Sequence, residues 1–96
     1  FGVTSEVIED FQLYQNTPNP FTNSTEIGFS IPKKQEVSIS IYDVTGRMIV
    51  TKRGVYEKGM HKLEIDRSEL GVSSGLLYYQ LDSENFTSTR KMILVN

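Results

Sequence analysis

The chain contains no cysteine and no tryptophan, and its only histidine is His61. Without cysteine it can form neither a disulfide bond nor a thiolate metal site. A serine hydrolase would need His61 as its general base, but no nucleophile motif stands near this residue, which we interpret as a structural residue of a strand. Residues 82–85 come nearest to a metal-binding loop and have the composition of an ordinary turn. The sequence therefore predicts a protein that is not an enzyme and has no catalytic, cofactor or metal site.

Long apolar runs and an excess of charge of one sign are also missing. No segment approaches the roughly 20 apolar residues of a transmembrane helix, so we expect no direct insertion into a membrane. The formal net charge of −2, with both signs interspersed, does not provide the basic surface that nucleic acids require. The chain does not open with a signal peptide, and we expect it to be a piece of a longer protein. Its 96 residues, 38% of them hydrophobic, have the composition of one soluble, globular domain.

Short segments in which apolar and polar residues alternate follow one another along the chain. Ile27, Phe29 and Ile31 alternate with polar or small residues, which is the period-two pattern of a half-buried strand. The segments of this character are 11–14, 25–31, 37–42, 47–53, 60–65, 76–81 and 86–95. About seven short strands separated by turns predict an all-β fold, an immunoglobulin-like antiparallel β-sandwich without the disulfide and tryptophan of antibody domains.

Two connections between the predicted strands have a defined local chemistry. Asp43 and Gly46 occupy the first and fourth positions of a predicted type I turn, and Gly46 is expected to adopt a positive φ beside a β-bulge. Residues 17–20 contain two prolines, which fix φ and lack an N–H group, so this segment is predicted to be stiff and outside the strand ladder. Phe21 follows, and the pattern leaves open whether its ring lies in the core or on the surface.

Four blocks stand out by their order and spacing. They are Gln15-Asn16-x-Pro18-Asn19-Pro20-Phe21 with Thr25-x-Ile27-x-Phe29-x-Ile31-Pro32, then Val37-x-Ile39-x-Ile41-Tyr42-Asp43-x-x-Gly46-Arg47, then Gly59-x-His61-x-Leu63 with 70–75, and finally Tyr78-Tyr79-x-Leu81 with 91–95. Together they resemble the type A C-terminal sorting domain of the type IX secretion system, over residues 11–96. Ile65 and Leu77 stand where that family often has tryptophan and tyrosine, but both are apolar and compatible with the fold.

The resemblance implies a function that the composition does not indicate. Such a domain directs the N-terminal cargo domain of the same chain through the periplasm to the cell surface or the medium. The implied partners are the outer-membrane shuttle β-barrel, which reads the domain, and a sortase-type peptidase, which usually removes it. Residues 1–10 are then predicted to be a linker in or before which cleavage occurs, and residues 11–96 the sorting domain. The alternative is an immunoglobulin-like adhesion or carbohydrate-binding module that stays on the mature protein.

The positions that match the family motifs give a set of hypothetical recognition residues. They are Pro18, Asn19, Pro20, Phe21, Asp43, Gly46, Arg47, Gly75, Lys91, Met92, Ile93, Leu94 and Val95. For Arg47, recognition and a structural pairing with Asp43 are both open. For residues 92–95, the alternatives are a strand edge that accepts a strand of the partner and an ordinary closing strand of the sandwich.

Overall fold

A computed structural model describes residues 10–96, and the part of the predicted linker before Asp10 lies outside the described residues. The described part contains seven strands: β1 (Gln12–Leu13), β2 (Ser24–Ile31), β3 (Gln35–Tyr42), β4 (Met48–Tyr56), β5 (Gly59–Asp66), β6 (Gly75–Ser83) and β7 (Phe86–Leu94). They form a three-stranded sheet in the order β1-β2-β5 and a four-stranded sheet in the order β4-β3-β6-β7. All pairings between these strands are antiparallel. The predicted all-β antiparallel sandwich is confirmed.

The core lies between the two sheets and consists mainly of the alternating apolar residues of their strands, together with Phe21 and Leu70 from the connections. Ile27, Phe29 and Ile31 of β2 are completely buried, as their spacing predicts. Ile65 and Leu77, the two departures from the family pattern, are buried in the same core, so the fold accommodates both. The four-stranded sheet contributes Val37, Ile39, Ile41, Leu77, Tyr79, Leu81, Met92 and Leu94.

The outer face of β2 differs from the prediction of a half-buried strand. Gly28 and Ser30 lie on that face, yet both are buried, and only 3% of Ser30 is exposed. The Tyr14 hydroxyl lies 3.4 Å from the Ser30 hydroxyl, and a Cβ at Gly28 would come within 3.3 Å of the Met60 side chain and 3.6 Å of the Tyr14 ring. Because β2 is the central strand of its sheet, side chains from both neighbouring segments reach across it.

His61 lies in β5, as predicted, and its ring is half-buried in an aromatic cluster. The ring centroid is 5.0 Å from that of Tyr56 and 5.5 Å from that of Phe29. Its Nε2 atom is 2.7 Å from the carbonyl oxygen of Glu57. Among residues 10–96, no three potential ligands are grouped so as to hold a metal ion, and no helix in this range has the length and apolarity needed to cross a membrane.

The strand registers place the connections at two opposite ends of the sandwich. Tyr42, the last residue of β3, pairs with Tyr78 near the start of β6, and Gly75, the first residue of β6, pairs with Leu94 at the end of β7. The β3–β4 turn, the start of β6 and the end of β7 therefore share one end, which we call the C-terminal end. The opposite end carries the turns at residues 32–34, 57–58 and 84–85.

Candidate recognition surface

The Pro-Asn-Pro segment, residues 18–20, is held by the side chain of Asn16, which is 2% exposed. Its amide nitrogen donates to the carbonyl oxygen of Pro18 at 3.1 Å and to the Thr25 hydroxyl at 3.0 Å. The Thr25 hydroxyl in turn donates to the same Pro18 carbonyl at 2.9 Å. All three polar groups thus satisfy one another, with Asn16 and Thr25 buried, which fixes the start of the segment.

The strand ladder continues up to the residue before this segment. Thr17 exchanges two backbone hydrogen bonds with Glu26 of β2, at 3.0 and 2.9 Å. The prediction that Thr17 lies outside the ladder is therefore wrong, because Thr17 has the N–H group that the prolines lack. The peptide bonds before Pro18 and Pro20 are both cis.

A tyrosine of the four-stranded sheet holds the chain that leads into the segment. The Tyr79 hydroxyl accepts a hydrogen bond from the backbone N–H of Asn16 at 2.9 Å and donates to the carbonyl oxygen of Tyr14 at 2.7 Å. Burial raises the pKa of Tyr79 above its ordinary value, so the hydroxyl keeps its proton and its donor role. The sequence does not indicate this role, since the two partners lie 63 and 65 residues away.

The outer edge of β7 is closed by side chains of the neighbouring segment. Gln15 Nε2 donates to the carbonyl oxygen of Lys91 at 2.7 Å, and the backbone N–H of Ile93 donates to Asn19 Oδ1 at 2.9 Å. A strand edge is available for addition of another strand only where its N–H and C=O groups are unpaired. Addition of a partner strand at these positions would therefore require displacement of Gln15 and Asn19.

The backbone of Phe21 also bonds to the outer edge of β7, and its ring lies in the core. Its N–H donates to the carbonyl oxygen of Ile93 at 3.0 Å, and its own carbonyl accepts from the N–H of Val95 at 2.9 Å. The two bonds form a parallel bridge across Leu94. The ring is 1% exposed, which decides the alternative that the sequence left open: Phe21 is a core residue.

Arg67 donates hydrogen bonds to three backbone carbonyl oxygens at the C-terminal end. Its guanidinium donates to the carbonyl of Thr22, to that of Ser73 at 2.6 Å and to that of Val95 at 3.4 Å. These carbonyls belong to the segment before β2, to the segment before β6 and to the residues after β7, so one side chain holds three separate parts of the chain together. Sequence reasoning missed Arg67, because it stands in a short helical turn and nothing in the local pattern reveals distant carbonyl partners.

The Asp43 turn forms as predicted. Gly46 has a φ of 90° and its N–H donates to the Asp43 carbonyl at 3.0 Å, while the register shifts between Ile41 and Tyr42. The Asp43 carboxylate accepts from the Thr45 hydroxyl and from the backbone N–H of Arg47, at 2.6 and 3.1 Å. These bonds hold the pKa of Asp43 below its ordinary value.

Arg47 forms an ion pair with Asp43, and its side chain is nevertheless exposed to solvent. The distance from its Nε to Asp43 Oδ2 is 3.3 Å, and 76% of its side-chain surface is exposed. The structural pairing is therefore present, and most of the side-chain surface of Arg47 is accessible to a partner. Recognition by the secretion machinery stays a prediction.

The structure brings the predicted recognition residues to one end of the sandwich. Phe21, Met92 and Leu94 are core residues there, at 0–1% exposure, so their side chains stabilise the fold and are not accessible to a partner. The exposed members are Pro18, Asn19, Pro20, Gly46, Arg47, Gly75, Lys91, Ile93 and Val95. The β3–β4 turn begins on β3, two strands or about 10 Å away from β7 in the sheet, and ends on β4, three strands away. Residues of blocks that are distant in the sequence thus lie at the same end of the sandwich.

A comparison with protein families gives a match over residues 16–96 to the model described as the secretion system C-terminal sorting domain. The chain belongs to this family. The sorting domain is a signal for type IX secretion, which implies export to the cell surface or the medium, and the family is not one of enzymes. A search of curated proteins gives no match to the chain.

We expect Arg47→Ala to change the free energy of unfolding by about 1 kcal/mol or less, because exposed ion pairs contribute little. If Arg47 is read by the machinery, export of a cargo that carries this change falls while the melting temperature of the sorting domain stays almost constant. Gly46→Val is the contrast, since a β-branched residue is strained at a φ of 90° and should lower stability. Normal export with verified Arg47→Ala protein would remove Arg47 from the recognition surface.

Proposed function

We propose that residues 11–96 direct the N-terminal cargo domain of the same chain through the periplasm and across the outer membrane by the type IX machinery. The shuttle β-barrel of the outer membrane binds the domain, and a sortase-type peptidase removes it by cleavage in or before residues 1–10. The domain carries no catalytic activity of its own and is a substrate of that peptidase. It contacts neither nucleic acid nor the interior of the membrane.

The observation that carries this proposal is that the predicted recognition residues, which come from different motif blocks, lie at the C-terminal end. Asn19 and Ile93 are 74 residues apart and share a hydrogen bond of 2.9 Å. A receptor that binds this end contacts several blocks at once, and only in the folded domain. Because the Asn16 and Arg67 contacts hold the surface in place before binding, little conformational entropy is lost on association.

The point at which the chain joins the sandwich supports removal after recognition. Phe11 stacks on Phe86 with ring centroids 4.6 Å apart, so the chain joins the sandwich at the end opposite to the Pro-Asn-Pro segment. Eight residue steps along β7 separate Phe86 from Leu94, a distance of roughly 27 Å. A receptor on the C-terminal end leaves the linker accessible to a peptidase.

The proposal predicts that the domain transfers its function to another protein. Residues 1–96, fused to the C-terminus of a folded reporter that has its own signal peptide, should bring the reporter outside a cell with a type IX system. The same fusion should stay in the periplasm of a strain without that system. Cell fractionation and mass spectrometry of the exported reporter measure location and the cleaved bond.

Two results of this experiment would contradict the proposal in different ways. A folded, intact fusion that stays periplasmic in the competent strain would refute the sorting function. An exported reporter that keeps residues 11–96 at its C-terminus would refute removal by a peptidase and leave the sorting function intact.

A further inference from the structure

The three segments that Arg67 holds together are the ones that carry predicted recognition residues. Its carbonyl partners belong to Thr22, Ser73 and Val95. The first lies two residues after the Pro-Asn-Pro segment and the second two residues before Gly75, while Val95 is itself a predicted recognition residue. The guanidinium of Arg67 therefore sets the relative positions of three parts of the candidate surface.

A capping box fixes the short helical turn from which Arg67 extends. The Asp66 carboxylate accepts from the backbone N–H of Ser68 at 2.9 Å, and the Glu69 carboxylate accepts from the N–H of Asp66 at 3.0 Å. Glu69 also pairs with Lys52 of β4 at 2.6 Å. Because each end of the turn has its own hydrogen bond, the backbone of Arg67 is held in place before any partner binds.

An arginine suits this place better than a lysine. Its guanidinium has five N–H donors in a rigid plane and can bind several carbonyl oxygens at once, whereas an ammonium group is a compact point charge. Within residues 10–96, Arg67 forms no salt bridge, and its three carbonyl partners receive no hydrogen bond from another group. The bonds that it donates are charge-assisted and therefore stronger than those between neutral groups.

The bond to Val95 shows what the loss of Arg67 would change. Val95 lies after the last residue of β7, and both of its backbone polar groups are bonded: its N–H donates to the Phe21 carbonyl at 2.9 Å, and its carbonyl accepts from Arg67 at 3.4 Å. Without Arg67, the segment after β7 would keep the first bond and lose the second. The strand ladders and the core do not include the Arg67 side chain and would remain.

We propose that Arg67 is a positioning residue for recognition, which places the Pro-Asn-Pro segment, Gly75 and residues 93–95 so that the shuttle β-barrel can bind them together. The inference rests on the proposed function and adds to it a residue from outside the four motif blocks. Arg67 is half-buried and acts through the backbone of these segments. Since its contacts lie outside the core, its loss should weaken recognition more than it weakens the fold.

The test is the affinity of the full 96-residue chain for the purified shuttle β-barrel, at a temperature at which every variant is folded. Arg67→Met keeps the apolar stem, removes every donor and should raise the dissociation constant about tenfold or more. Arg67→Lys should raise it about two- to fivefold, because one ammonium group cannot hold three carbonyls. Arg53→Met is the matched control: Arg53 is 67% exposed, lies on β4 towards the opposite end and pairs with Glu36, so this variant should bind like the unaltered chain.

Two further measurements separate positioning from stability. Val37→Ala shortens a core side chain towards the opposite end, and it should lower the melting temperature at least as much as Arg67→Met while the dissociation constant stays unchanged. In Arg67→Met, hydrogen exchange should accelerate about tenfold more at the Val95 amide than at the Leu81 amide in the middle of β6, since only the segment after β7 is released.

Equal dissociation constants for Arg67→Met and Arg53→Met would overturn the positioning role while leaving the proposed function intact, provided that the unaltered chain binds. A loss of affinity in Val37→Ala as large as that in Arg67→Met would show that stability alone governs binding, and would overturn the role as well. Unchanged binding by Arg67→Lys would show that a single charge is sufficient, against the three-carbonyl geometry. Absence of any binding by the unaltered chain would overturn both this inference and the proposed function.

Discussion

Phe29→Ala is expected to lower the free energy of unfolding by about 3–5 kcal/mol, the usual cost of removing a large aromatic side chain from a core. Phe29 is completely buried, and its ring meets the Tyr56 ring edge-on at a centroid distance of 5.1 Å. The change would therefore leave a cavity and remove an aromatic contact. Small domains have about 5–15 kcal/mol of stability in total, so the variant should be close to unfolding at 37 °C.

Urea denaturation followed by circular dichroism measures this effect. Equal m values, the slopes of the free energy of unfolding against urea concentration, would show that the variant and the unaltered chain unfold in the same way. Val55→Ala is the control, because Val55 lies on β4 with 65% of its surface exposed and should lose no more than about 0.5 kcal/mol. A loss of unfolding free energy below about 1 kcal/mol for Phe29→Ala would contradict the assignment of Phe29 to the core-facing side of β2.

Phe21→Ala should have a comparable effect, about 3–5 kcal/mol, although Phe21 lies in a connection and not in a strand. Phe21 is 1% exposed, and its backbone bonds to Ile93 near the end of β7 and to Val95 just after it. Loss of the ring would therefore loosen the C-terminal end together with the core. We expect the unfolding midpoint in urea to fall and export of a fused reporter to fail.

Phe21→Leu separates packing from direct recognition at this position. Leucine keeps most of the buried volume, so stability should largely return, and with it binding to the shuttle and export. A Phe21→Leu protein that melts almost like the unaltered chain but no longer binds the shuttle would show that the aromatic ring itself is read. Such a result would contradict the core role that its burial indicates.

Hydrogen bonds from the neighbouring segment occupy part of the outer edge of β7, and this bears on the role of the final motif block. Residues 91–95 would be a natural place for strand addition, but the Lys91 carbonyl and the Ile93 N–H are bonded to Gln15 and Asn19. Of the two alternatives, the structure favours a closing strand of the sandwich whose outward side chains are displayed. Within β7, the exposed residues of this block are Lys91 and Ile93, the latter 41% exposed.

The sequence by itself determined the strands, their facing and the Asp43 turn. Each of these depends on residues that are close in the chain: side chains two apart share a face of a strand, and Gly46 follows Asp43 by three residues in a turn that requires a positive φ there. The four motif blocks also determined the family, because their order and spacing are a property of the chain. Two local predictions were wrong. Thr17 pairs with Glu26 of β2, and side chains of neighbouring segments bury the outer face of β2, so both features depend on residues outside the local pattern.

Only the tertiary structure decided how the motif residues are divided between core and surface. Phe21 is buried and Asn19 is bonded to Ile93 because the sandwich places β7 beside a segment about seventy residues earlier. Arg67 joins three carbonyls that no local pattern connects. Such contacts depend on strand order and register, which arise from packing two sheets around one core, and alternation along a single strand carries no information about them.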